Sequence, residues 1–203
     1  MSITAEFFRH PLLTGAIAAS SPQLAEAMTS DLGLERAKVV VELGPGTGAF
    51  TSAILDRMAP GARLVAVELN AVLAGELTRR FRGRPVEVVR GSAADLGNLV
   101  PDQVDAIVSG LPWTVMSEQQ QHRILDAIGG VLTDSGRFTT FAYVHAAWTP
   151  PARRFAAQLA ARFAVVARGP VVWPNLPPAF VHRAALPRVR AAHPSTVHPS
   201  TAA

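Results

Sequence analysis

The chain has no cysteine among its 203 residues. Disulfides, thiolate zinc sites and a cysteine nucleophile are therefore excluded. Lysine is nearly missing too: Lys38 stands alone, and arginine carries almost all of the positive charge. The six histidines are scattered, with no H-x-x-x-H or H-x-H pair, so no metal site is expected. Tyr143 is the only tyrosine. No apolar run reaches the ~18 residues a membrane helix needs. Residues 1–20 lack the uninterrupted apolar stretch of a signal peptide, so a cytoplasmic location is expected. The net charge of +4 is too small to argue for nucleic acid.

What is present suits one domain with a sizeable core, since 49% of the residues are hydrophobic. Three zones are visible. Residues 1–35 read as an N-terminal helical lid, residues 36–185 as an α/β domain, and residues 186–203, with their repeated H-P-S-T, as a disordered tail. Ser21-Pro22 is a helix start, followed by Leu24, Ala27, Met28 and Leu32 on one face. Ahead of it Phe7, Phe8, Leu12 and Leu13 cluster beside Arg9 and His10. That cluster reads first as a packed lid and second as a membrane-surface contact.

In the middle zone apolar strands alternate with helices. Strands are expected at Lys38–Leu43, Arg63–Glu68, Val86–Arg90, Val104–Ser109 and Phe138–Tyr143. Helices are expected at Phe50–Met58, Ala71–Phe81, Ser117–Ile128 (opened by a Ser117/Gln120 capping box) and Arg153–Arg162. Phe163–Arg168 and Ala179–Ala184 have no helix between them and read as an antiparallel pair. The pattern predicts a mostly parallel sheet covered on both faces.

Three constellations carry chemistry. Glu42-Leu43-Gly44-Pro45-Gly46-Thr47-Gly48 ends the first strand. Its glycines permit a sharp turn and close approach of a ligand to the backbone, with the next helix pointing amides at it. Glu68 ends the second strand, where a carboxylate can accept both hydroxyls of a ribose. Ser109-Gly110-Leu111-Pro112-Trp113 ends the fourth strand and faces the same crevice. The Gly110 and Leu111 carbonyls can accept from a substrate amine, and Trp113 offers either a π face to a cation or plain core packing. The turn also satisfies G-x-G-x-x-A through Ala49, a dinucleotide signal. A nicotinamide reductase of the short-chain kind would need a Tyr-x-x-x-Lys pair, and Tyr143 is followed by Ala147 instead.

Together VVELGPGTGAFTSAIL, LVAVELN and DAIVSGLPW resemble the class I S-adenosylmethionine-dependent methyltransferases. Two flanking segments, PLLTGAIAASSPQLAEAM and VVWPNLPPAFVHR, resemble the bacterial phospholipid N-methyltransferases, relatives of the ribosomal RNA adenine dimethyltransferases. The likeness runs from about Phe7 to Arg183. It implies a Rossmann-like fold with a mostly parallel seven-stranded sheet, an antiparallel C-terminal strand pair and an N-terminal helical lid. The implied cofactor is S-adenosylmethionine. Glu42, Gly44, Gly46 and Gly48 would line its methionine and ribose portion, Glu68 would hold the ribose, and Leu69 would pack on adenine. Ser92 and Ala93 would meet the adenine edge, and Ser109 is a further cofactor-binding candidate. Ser92 departs from the family's usual acidic residue, with Asp95 as a nearby substitute.

For the acceptor side the resemblance implies Gly110, Leu111 and Trp113. Gly110 replaces the Asn of the adenine dimethylases' N-L-P-Y type motif, which speaks against an RNA base. Tyr143 and Trp148 would complete an aromatic wall with Trp113, and His145 reads first as a surface or structural histidine and second as a candidate base. The expected acceptor is an amine-bearing lipid head group such as phosphatidylethanolamine, with Arg153, Arg154 or Arg183 for the lipid phosphate. Peripheral contact with the inner membrane face would run through residues 1–20. A small-molecule or natural-product amine is the alternative. A non-enzymatic RNA- or membrane-binding module would rest on Arg79, Arg80, Arg82, Arg84 and Arg90, a group that reads more readily as a solvated helix end. Nucleic acid is not the expected partner.

Overall fold

A computed structural model of the chain describes residues 20–188. The apolar cluster around Phe7–Leu13 and nearly all of the expected tail lie outside the described residues. Seven strands form one sheet: β1 (Val39–Leu43), β2 (Arg63–Glu68), β3 (Val86–Arg90), β4 (Val104–Ser109), β5 (Leu132–Tyr143), β6 (Phe163–Val172) and β7 (Ala179–Pro187). Their order is β3-β2-β1-β4-β5-β7-β6. Strands β1 to β5 run parallel, whereas β7 is antiparallel to both β5 and β6. The expected mostly parallel sheet with an antiparallel C-terminal pair is the one observed.

Alternation along the buried strands sorts their side chains to two faces. Val41, Leu43, Val65, Val67 and Ile107 pack with Leu125, Ile128, Phe155 and Leu159 on one side. These come from α5 (Glu118–Val131) and α6 (Pro150–Arg162). Val40, Leu64, Ala66 and Val108 pack on the other side with Leu24, Met28, Phe50, Ile54 and Leu77. Those belong to α1 (Pro22–Thr29), α2 (Ala49–Leu55) and α3 (Ala71–Arg80), while the short α4 (Leu96–Leu99) covers the first face. Each fully buried Leu or Phe contributes about 1.5–3 kcal/mol, so the two clusters hold the sheet between its helical layers.

Capping follows the sequence. The Ser21 side chain accepts from the Leu24 amide, and Ser117 with Gln120 forms the capping box of α5. Asp105 Oδ2 accepts from the Lys38 and Val39 amides and secures the start of β1. Helix α1 is pinned from the sheet. Asn175 Oδ1 accepts from the Ser21 amide, Thr139 donates to the Met28 carbonyl, and Arg183 donates to the Ala27 carbonyl and to Ser30 Oγ.

Several elements exceed their expected bounds: α5 runs on to Val131, and β7 runs on to Pro187, into the first residues of the expected tail. Strand β5 begins at Leu132, which pairs with Val104 ahead of a register shift that absorbs the turn-like Asp134-Ser135-Gly136. Strand β6 continues to Val172 across Gly169-Pro170, because the long β7 offers partners on both sides of a shift between Arg168 and Val171. Helix α6 starts at Pro150, since proline is tolerated in a first turn.

Candidate active site

The carboxyl ends of β1, β2, β3, β4 and β5 share one edge, and their loops are tied to one another there. The Gly44 amide donates to the Val67 carbonyl, the Gly91 amide to the Glu68 carbonyl, and the Gly110 amide to the Leu43 carbonyl. Gly44, Gly46 and Gly48 all have positive φ (+67°, +55° and +85°), a region open to glycine at little cost. Their surroundings differ. A Cβ on Gly48 would stand 2.7 Å from the Phe81 ring, whereas nothing lies within 4 Å of one built on Gly46. The glycine loop is therefore packed at its end and open at its middle, where a ligand can approach the main chain.

Glu42 lies two residues beyond Val40 along β1, so its side chain falls on the same, α2, side of the sheet. It is fully buried, and its Oε2 accepts from Thr51 Oγ1 at 2.6 Å. Its Oε1 is buried with no hydrogen-bond partner among the described residues. Burial pushes this carboxyl up to about 8, with the neighbouring Glu68 adding to the rise and Thr51 opposing it. A buried acceptor oxygen left without a donor costs about 1–3 kcal/mol. A ligand that brings a cationic or N–H donor to Oε1 removes that cost.

Glu68 is also buried, and desolvation raises its carboxyl above the usual range. Its Oε2 accepts from the Gly46 amide at 3.2 Å and its Oε1 from the Asn70 amide at 2.8 Å. Each oxygen retains lone-pair capacity for a hydroxyl donor. Leu69, next to it, is exposed, as an apolar residue facing a ligand ring would be. The unpartnered Glu42 oxygen, the open Gly46 and the Glu68–Leu69 pair together fit a nucleoside carrying an amino-acid tail. After β3, Ser92 Oγ accepts from the Ala94 amide and caps the short turn Ala93–Asp95. Ala93 is buried and Asp95 is exposed.

The loop after β4 meets the glycine loop directly. A Cβ on Gly110 would stand 2.6 Å from the Gly44 carbonyl oxygen, and one on Gly44 would stand 2.9 Å from the Leu111 side chain. Ser109 is fully buried, and its Oγ accepts from the Leu111 amide. Trp113 is 3% exposed. Its ring stacks on Phe155 at 4.6 Å, and its indole N–H donates to Thr140 Oγ1, which in turn donates to the Ser109 carbonyl. The Trp113 ring is thus taken up by the core, the packing alternative of the two its type allowed, and it joins no exposed aromatic wall. Gln121 Nε2 donates to the Trp113 carbonyl at 2.6 Å, and Gln158 Nε2 donates to Gln121 Oε1. Helices α5 and α6 hold the loop from behind through this chain.

Tyr143, whose phenol is pushed up by burial, ends β5. It stacks on the exposed His145 at 5.7 Å and meets Phe141 edge-on. Trp148 is 73% exposed. Arg183 is spent on α1, so it is not placed for a lipid phosphate, and Arg154 faces Glu118 at 3.9 Å. Arg80 donates to the Thr47 carbonyl of the glycine loop and Arg84 pairs with Asp56 at 3.5 Å. Sequence reading missed Thr51, Thr140 and Gln121. Only Gln121 left a signal: a polar residue on the face shared with Ile124, Leu125 and Ile128.

Comparison with known proteins agrees with this geometry. A methyltransferase-domain family profile matches residues 40–136. Ornithine lipid N-methyltransferase of Singulisphaera acidiphila is 36% identical over 138 residues, covering 66% of this chain and 72% of that protein. Ribosomal RNA small subunit methyltransferase A of Kineococcus radiotolerans is 45% identical over 82 residues, covering 38% of this chain and only 26% of its own length. Among solved structures, an S-adenosylmethionine-dependent O-methyltransferase of Thermotoga maritima superposes with a TM-score of 0.67 at 14% identity, covering 92% of this chain and 73% of the other. Fibrillarin of Aeropyrum pernix, with natively bound S-adenosylmethionine, superposes at 0.64 and 18% identity, covering 80% and 74%. No helix among the described residues is long and apolar enough to cross a membrane. With a methyltransferase profile over its core, this relative and this fold, the chain belongs to the class I S-adenosylmethionine-dependent methyltransferases, and its cofactor is S-adenosylmethionine.

Proposed function

We propose that the chain methylates the amine of a lipid head group, with phosphatidylethanolamine and ornithine-type head groups as the substrates to try first. The observation that carries this is the likeness to an ornithine lipid N-methyltransferase across 72% of that protein's length. Gly110 supports it, because glycine there offers no side-chain acceptor for the exocyclic amine of adenine. When bound, S-adenosylmethionine supplies an activated methyl group. The chain's work is then to position the acceptor and exclude water. Glu42 would receive the amino group of the methionine portion, with Gly44, Gly46 and Gly48 lining it. Glu68 would accept from the ribose hydroxyls, Leu69 would cover adenine, and Ser92 and Ala93 would border its edge.

On the acceptor side, the Gly110 and Leu111 carbonyls would orient the amine nitrogen, which must be neutral to attack. The apolar surroundings of Leu111 and Phe141 favour that neutral form. Tyr143, kept protonated by burial, would flank the nitrogen. The exposed His145 beside it would pass the released proton to solvent. Trp113 would serve by holding the loop. Incubating the protein with vesicles and donor labelled in its methyl group tests the assignment. Label in an amine-bearing lipid is expected, whereas label confined to soluble amines would overturn it.

A second outcome follows from Glu42. Between its ordinary value near 4.5 and about 8, the ligand-free folded chain keeps a proton that the unfolded chain has lost. Stability of the free protein is therefore expected to fall as pH rises through that window. Binding a cation against Oε1 expels the proton. Affinity for S-adenosylhomocysteine should then rise with pH by close to tenfold per unit at most, levelling near 8. Calorimetry in buffers of different ionisation heat reads the released proton directly. Glu42→Gln should abolish the release, and release that survives in E42Q would remove Glu42 from this role.

A further inference from the structure

Among the described residues, most of the exposed large apolar side chains lie along one edge of the sheet. Nine large hydrophobic residues are exposed among the described residues, and Leu69, Val72, Val115, Trp148, Trp173 and Leu176 all lie at the carboxyl ends of the strands. The register fixes this placement. Tyr143 pairs with Ala179, and Ala179 with Val172, so the segments after β5 and after β6 emerge side by side. Trp148 is 73%, Trp173 69% and Leu176 74% exposed. They stand on the acceptor side of the crevice, past Tyr143. Side chains of this size and exposure on one rim mark a contact surface, and tryptophan is the residue type that suits an interface between water and hydrocarbon.

Charge points to the partner. All fifteen acidic residues precede residue 135, and from there to the end the chain carries eight arginines and no Asp or Glu. That part builds most of β5 and all of α6, β6 and β7, the elements that carry the tryptophan rim. Arg153 is exposed in the first turn of α6, five residues after Trp148. Glu118 and Asp126 of α5 face Arg154 and Arg162, which leaves Arg153 as the exposed cation nearest Trp148; apolar aromatic tips joined to such a cation complement a surface of anionic head groups over acyl chains.

We propose that Trp148, Trp173, Leu176 and Arg153 form a docking surface for an anionic phospholipid bilayer. Docked there, the crevice opens toward the head groups, and a lipid amine reaches the Gly110 loop without leaving the membrane. The inference rests on the lipid-acceptor reading for its purpose, but its test is independent of turnover. The full chain is mixed with phosphatidylcholine vesicles, with or without phosphatidylglycerol, and binding is followed by co-sedimentation and tryptophan emission. Of the three tryptophans, Trp113 is already buried and hydrogen-bonded, so a blue shift on binding reports Trp148 and Trp173.

Binding to the anionic vesicles with a blue shift is expected, weakening as salt rises. The double variant W173S/L176S should bind them about tenfold or more weakly while keeping its thermal transition and its affinity for S-adenosylhomocysteine. Undiminished binding by W173S/L176S, equal binding to uncharged vesicles, or a concentration-dependent dimer that the variant disperses would each overturn the proposal. Vesicle binding without methylation of any lipid amine would leave the docking surface standing and remove the lipid-acceptor reading. Methylation of detergent-dispersed lipid without vesicle binding would do the reverse.

Discussion

Glu68→Ala is expected to weaken S-adenosylhomocysteine binding by roughly 100-fold or more. The magnitude comes from two lost hydrogen bonds to a charged acceptor, each contributing about 1.5–3 kcal/mol. One carboxylate oxygen already accepts from Gly46 of the glycine loop and the other from Asn70 at the start of α3. The substitution therefore also releases the open middle of the glycine loop. Isothermal calorimetry measures the affinity, and loss of the ligand-induced rise in melting temperature gives a second reading. Glu68→Gln, which retains one acceptor oxygen, should fall between the two. Affinity within threefold of the original (about 0.65 kcal/mol) in E68A would place the ribose elsewhere. The unliganded protein should still fold, because the core clusters on both faces of the sheet are untouched.

Gly110→Ala is the second large expectation, and its cause is purely steric. Gly110 is not at positive φ, so alanine can adopt the backbone. The new Cβ, however, would stand 2.6 Å from the Gly44 carbonyl oxygen, a main-chain atom that cannot rotate away. The loop after β4 and the glycine loop must separate, which misplaces the acceptor relative to the cofactor. A displacement of about 1 Å at such a site costs on the order of 100-fold in turnover, and the overpacking costs about 1–3 kcal/mol of stability. Steady-state kinetics should show the loss in kcat. Gly97→Ala is the control, since nothing lies within 4 Å of a Cβ there. Full activity in G110A would show that the contact between the two loops does not set the reaction geometry.

The strand-end loops proposed to hold the cofactor were legible because their signals are local. Strand-end carboxylates and a glycine loop sit at fixed spacings, and a parallel sheet brings successive strand ends to one edge without further information. The acceptor half depended on long-range packing. Whether Trp113 faced a ligand or the core was decided by Phe155, forty-two residues away, and by Thr140 on the adjacent strand. Arg183 read as a phosphate ligand by type alone, yet its neighbour in space is α1, near the opposite end of the sequence. Thr51 gave no sign, because a threonine in a short helix has many ordinary uses; only the turn between β1 and α2 sets it against Glu42. The ends of β5 and β6 were misjudged where glycine and proline interrupt a strand that its partner nevertheless continues.

The hold of Asn175 on the Ser21 amide has a consequence for everything the chain carries before Ser21. That bond fixes the start of α1 to the turn between β6 and β7, beside the mouth of the crevice. Any group covalently attached ahead of that point is therefore held within reach of the crevice, which raises its effective concentration there. Such a group needs only weak intrinsic affinity for the crevice, or for a surface docked against it, to spend most of its time in contact. Weak affinity is thus amplified by where the fold ties down the start of α1.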